Sequence, residues 1–84
     1  MERETLKREL KALIVTECMK DIAPESLGDD ELLMGPQARL ELDSLDALQI
    51  SLAVQQRYGK RIEGNNETRH ALASVDALAD FILG

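Results

Sequence analysis

Eighty-four residues make one domain, spanning residues 1–84, and a chain this short cannot easily wall in a deep catalytic cleft. A net charge of −6, an aromatic content of 2% and the lack of a basic patch argue against a nucleic-acid partner and leave an aliphatic core. The single cysteine, Cys18, excludes an internal disulfide and fits a reducing compartment.

The charged opening MERETLKREL is followed by no apolar leader, and no apolar run is long enough to cross a bilayer. A cytoplasmic monomer without membrane insertion is therefore expected. Charge is spread unevenly: residues 1–22 are neutral, 23–43 carry −5, 44–62 carry +2 and 63–84 carry −3. The strongest negative field lies just before Ser44. It suits steering toward a basic protein partner, or simple solubility.

Leu6, Leu10, Leu13 and Ile14 recur at helical spacing, so the first element is a helix over residues 3–20, with Glu4 and Arg8 as an ion pair one turn apart. Pro24 ends that pattern. The stretch APESLGDDELLMGPQARLELD has no sustained period and reads as a long loop, with Leu27, Leu32, Leu33, Leu40 and Leu42 packing inward. The adjacent acids Asp29, Asp30 and Glu31 lack the alternate spacing and the glycine of a calcium loop and read as solvated.

A second helix is expected from Ser44 to Tyr58, with Asp43 as N-cap, Asp46 in the first turn and Gly59 past its end. Ile62 is an isolated apolar anchor. NNETRHALA allows one short helix. SVDALADFIL gives the last, capped by Ser74, with Asp76 in the first turn and Val75, Leu78, Phe81 and Ile82 on one side. The fold class is all-α: a four-helix bundle of three longer helices and one short, with a long loop between the first and second.

Three single-residue chemistries are set aside. Ser44 as a hydrolase nucleophile needs a base, and His70 is the only histidine; no G-x-S-x-G elbow is present. His70 reads as a solvated helix residue. Cys18 reads as a core or boundary thiol.

The second helix carries two apolar stripes. At about 100° per residue, Leu45, Leu48 and Leu52 share one side, and Ala47, Ile50, Val54 and Tyr58 lie nearly opposite. A surface helix needs one apolar face. Either the long loop covers the second stripe, or that stripe serves a partner or a ligand.

LDSLDALQISLAVQQRYGKRI resembles the central helix of acyl carrier proteins, and its Asp-Ser-Leu matches the motif whose serine carries 4′-phosphopantetheine. Length, acidity, the long loop, Ile62 and the ASVDALADFI ending agree with that family. The resemblance implies that Ser44 receives the arm from coenzyme A through a phosphopantetheinyl transferase. The arm's thiol then carries acyl groups, as thioesters, to acyl-transfer and condensing enzymes of fatty-acid or polyketide-type biosynthesis. The chain itself catalyses nothing on this reading. A helix start, with free N–H groups and a positive dipole end, tolerates a phosphate. Asp43 and Asp46 oppose one, so they read as contacts for a basic transferase. Leu45, Leu48, Gln49 and Leu52 complete the expected partner-recognition set, while Ile50, Val54 and Tyr58 are assigned to the core. No metal site is expected.

Two features depart from the family. Gln49, Gln55, Gln56 and Arg57 stand where fatty-acid carriers have glutamates, with Lys60 and Arg61 following, and MGPQARLEL reshapes the approach to Ser44. Both point to a dedicated carrier in a secondary pathway. The competing function is an unmodified acidic helical adapter that binds partners through the spare stripe.

Overall fold

The computed structural model describes residues 2–62 and 65–84. Four α-helices follow in chain order: α1 (Arg3–Glu17), α2 (Ser44–Tyr58), α3 (Asn65–Ala71) and α4 (Val75–Leu83). The all-α class expected from periodicity is what the chain adopts. α1 packs against both α2 and α4, and α4 also packs against α3. Leu6, Leu10, Ile14, Ile50, Val54, Leu72, Val75 and Leu78 are all sealed from solvent. Each such side chain contributes about 1.5–3 kcal/mol on burial. Among the described residues no polar or charged side chain is buried, so aliphatic packing alone fills the interior.

α1 ends sooner than its apolar spacing suggests. It stops at Glu17, several residues before Pro24. The Met19 N–H donates to the Thr16 carbonyl at 3.2 Å and the Lys20 N–H to the Val15 carbonyl at 3.0 Å. This pair of bonds closes a helix by passing through a left-handed residue. That residue is Met19, at φ 54°, where glycine is the usual occupant. Its side chain is 90% exposed and packs on little. Met19→Gly is therefore expected to stabilise the fold by about 0.5–1 kcal/mol, since it removes backbone strain without losing a core contact. A denaturant midpoint unchanged or lowered in the variant contradicts this account.

The long loop is strapped to the helices. It opens with a 3₁₀ turn at Pro24–Ser26, and Leu27, Leu33, Leu40 and Leu42 are buried as expected. Leu32 is not: it is 47% exposed. Its neighbour Leu33 takes the inward position, and successive side chains of extended backbone point to opposite sides. The Leu33 N–H donates to the Ala73 carbonyl at 3.2 Å, the Leu42 N–H to the Leu33 carbonyl at 3.1 Å and the Gly35 N–H to the Leu42 carbonyl at 3.3 Å.

Charged side chains tighten this strap, and here two expectations are corrected. Glu4 pairs with Lys7 at 2.9 Å, not with Arg8, because Lys7 sits on the flank facing the loop. Asp29 and Glu31 are engaged rather than merely solvated. Asp29 accepts from Lys11 at 2.6 Å and from Lys7 at 2.9 Å, while its backbone carbonyl takes the Asp76 N–H at 2.8 Å. Glu31 holds the Gly28 N–H at 3.0 Å and Arg39 at 3.0 Å. The acids point to different partners, so they brace the loop against α1, α4 and itself.

The hydrogen bonds from Lys11 and then Lys7 pull the Asp29 carboxyl down from 3.8 to about 2. A carboxyl more acidic in the folded state adds stability that is complete above its unfolded value and is lost as pH falls through the folded one. Asp29 is 39% exposed, so solvent screening limits the effect to about 1 kcal/mol. Asp29→Asn is expected to melt below wild type at neutral pH, with the gap closing as pH falls from about 4 to about 2. A gap that persists unchanged at about pH 2 shows that the ion pairs are not its source.

α2 settles which of its stripes is core. Ala47, Ile50 and Val54 are buried and Tyr58 is half-buried, its hydroxyl donating to Glu9 of α1 at 2.8 Å. Leu45, Leu48 and Leu52 are 72%, 54% and 48% exposed. The long loop does not cover them. A carboxylate in place of a sealed side chain costs several kcal/mol, a large share of a small domain's stability. Val54→Asp is thus expected to unfold the domain, while Leu52→Asp keeps a cooperative melt within about 1 kcal/mol of wild type. Equal loss in both variants means that both stripes are core.

Candidate functional site

α2 begins where two aspartates cap each other. The Asp43 carboxylate accepts the Asp46 N–H at 3.0 Å, and the Asp46 carboxylate accepts the Asp43 N–H at 3.2 Å. These two bonds form the reciprocal arrangement usually made by serine or threonine with glutamate. The bond from the Asp46 N–H holds the Asp43 carboxyl below its ordinary range. For the Asp46 N–H this corrects the expectation of free N–H groups at the helix start. The Asp46 donor is taken by the cap, and the Asp43 and Asp46 carboxylates hold each other's backbone N–H. Just before the cap, Glu41 sits in the left-handed region at φ 49°, and Leu42 is buried and bridged to Met34. The chain is thus anchored immediately upstream of Ser44.

Ser44 is the first residue of α2 and is exposed. The other three serines have their hydroxyls occupied. Ser26 donates to the Ala23 carbonyl at 2.8 Å, Ser51 donates to the Ala47 carbonyl at 2.8 Å, and Ser74 accepts the Ala77 N–H at 3.1 Å. Among the described residues the Ser44 hydroxyl has no hydrogen-bond partner. It is a free, anchored alcohol.

Ser44 stands on the edge of an open groove of about 1120 Å³. Its lining includes Ala47, Leu48 and Ser51 of α2, Ile62, and Thr68 and Arg69 of α3. Met34, Leu42 and the Gly35–Pro36 turn close the loop side. The groove offers apolar surface broken by a few polar groups, the usual make-up of a small-molecule site.

The expected partner-recognition residues share one exposed region. Asp43, Leu45, Leu48, Gln49 and Leu52 are exposed and Asp46 is half-buried. Of these, Asp43 and Leu48 also line the groove, as Ser44 does. Cys18 is half-buried against the core. Burial and then the Asp46 carboxylate push its thiol up to about 11, so it stays protonated and is no nucleophile at neutral pH. His70 is exposed at the end of α3 and is not in the groove lining. No helix among the described residues is long and apolar enough to cross a membrane.

Thr68 and Arg69 were not legible as site residues. Their helix is short, and nothing in their spacing links them to Ser44. The one available signal was that Arg69 is the single base in residues 63–84. In comparison with known proteins, no family model matches the chain and no curated protein is significantly similar to it.

Proposed function

We propose that the chain is an acyl carrier protein that bears 4′-phosphopantetheine on Ser44. The observation that carries this reading is the Ser44 hydroxyl: exposed, without a hydrogen-bond partner among the described residues, and lining an open groove of about 1120 Å³. The Asp-Ser-Leu motif and its resemblance to the carrier family supply the chemistry.

A transferase would deprotonate the Ser44 hydroxyl. The oxygen then attacks the coenzyme A phosphorus that bears the pantetheine. The new Oγ–P bond forms as the bond to 3′,5′-ADP breaks, and that nucleotide leaves with the electron pair. The arm supplies a terminal thiol that holds acyl groups as thioesters. This chain's own residues position and expose. The reciprocal aspartate cap fixes Ser44 at the helix start. Ala47, Leu48, Ile62 and Met34 offer a bed for the arm's carbon chain. Leu45, Leu48 and Leu52, beside Asp43, Asp46 and Gln49, present a face to the transferase and to acyl-transfer and condensing enzymes. Aliphatic contact gives that face its adhesion, and the acids steer basic partners toward it. On this reading the protein acts as a cytoplasmic monomer and catalyses no step itself. The glutamines and Arg57 along α2 fit a dedicated pathway rather than general fatty-acid synthesis.

Intact mass after incubation with coenzyme A and a transferase tests the assignment. Wild type is expected to gain one phosphopantetheine and Ser44→Ala none, with its helical signal kept. Leu52→Asp is expected to load more slowly while remaining folded. No mass gain in wild type with several transferases favours the unmodified adapter, and gain in Ser44→Ala moves the site.

A further inference from the structure

An anion attached at Ser44 meets an unfavourable surrounding on its own helix. Asp43 and Asp46 flank it, and the Asp46 N–H that would otherwise face it is held by Asp43. Counter-charge must come from elsewhere. The charged residues lining the groove are Glu41 and Asp43 on the Ser44 side and Arg69 on α3. Arg69 is thus the one cation among the lining residues described. Among the described residues its guanidinium has no ion-pair partner, whereas Arg3 is held by Asp76 and Asp80 and Arg39 by Glu31. Arg69 lines the same opening as Ser44 and the α2 residues Ala47, Leu48 and Ser51.

We propose that Arg69 is the counter-charge for an oxyanion tethered to Ser44, taken in the groove by its forked guanidinium. This rests on the carrier reading of Ser44. Two tethered groups share the required chemistry: the phosphodiester at the root of the arm, and a carboxylate at the end of a short dicarboxylic acyl cargo. A guanidinium matches either by paired, charge-assisted hydrogen bonds, in a way an ammonium does not. Arg69 is exposed where it lines the groove, so its pairing is open to screening by salt.

The test compares the apo protein with protein loaded by a transferase from coenzyme A, acetyl-coenzyme A or malonyl-coenzyme A. Intact mass verifies each form. The readouts are the Arg69 side-chain Nε–H resonance and the phosphorus chemical shift, in wild type, Arg69→Gln and Arg69→Lys. The expected result is a shift of Nε–H on loading that shrinks as salt is raised. In wild type a matching salt-dependent phosphorus shift accompanies phosphodiester pairing; it is lost in Arg69→Gln and only partly kept in Arg69→Lys. An Nε–H shift of equal size in all three loaded forms assigns the phosphodiester. A shift seen with malonyl but not with acetyl or the free thiol assigns the cargo carboxylate. A shift shared by acetyl and malonyl but absent with the free thiol reports contact with acyl carbon and overturns the proposal. So does an unmoved Nε–H in forms that mass shows to be loaded. If mass shows no loading at all, the carrier reading fails first and this inference with it.

Discussion

Two hydrogen bonds between Asp43 and Asp46 determine where α2 starts, and much of the molecule's arrangement follows from that start. A helix has a fixed angular period, so the side chains along α2 keep fixed directions relative to one another. With that spacing, Ile50 and Val54 turn inward while Leu45, Leu48 and Leu52 face solvent. A start displaced by one residue would not move the leucines off the helix. It would leave Ser44 inside the first turn or outside it, and change what the hydroxyl can reach. The cap also uses backbone donors that a helix terminus commonly offers to anions. Stabilising the element and receiving an anion can draw on the same N–H groups, and for the Asp46 N–H the first use prevails.

The cap is effective because the chain before it is held. Leu42 is buried and bridged to Met34, Leu33 is tied to Ala73, and Asp29 is clamped between Lys7 and Lys11. The long loop is a belt fastened at several points to α1 and to the turn before α4. Its cost in backbone order is offset by four leucines that it inserts into the core. Fastened this way, it forms one side of the groove and leaves the outer face of α2 bare.

Much of this was legible in the residues. The spacing of Leu6, Leu10, Leu13 and Ile14 marked α1, and Asp43 and Gly59 bracketed α2 at its observed ends. Ser74 announced α4. These signals are local: a period or a cap acts within a few residues. What the sequence concealed was non-local or conformational. The early stop of α1 depends on Met19 entering a region that side chains avoid, and no residue type advertises that. The pairing of Asp29 with Lys7 and Lys11 joins distant segments, so adjacency made the acid triplet look like bulk solvation. The outward turn of Leu32 follows from an extended path that its composition does not encode. At the site, Ser44 was legible from its motif and its cap. Arg69 was not, because a short helix brings it to the groove from far along the chain.

The contact between Tyr58 and Glu9 gives the molecule an internal optical gauge. Tyr58 is the only tyrosine and there is no tryptophan, so one phenol accounts for nearly all of the near-ultraviolet emission. Its hydroxyl donates to a carboxylate on α1 from the last turn of α2. Hydrogen bonding to a carboxylate quenches tyrosine emission. A bright signal therefore reports α2 parting from α1 at that end, while a dim one reports the two in register. The helix that bears the free serine thus also carries, at its far end, a native reporter of its own seating, with no label added.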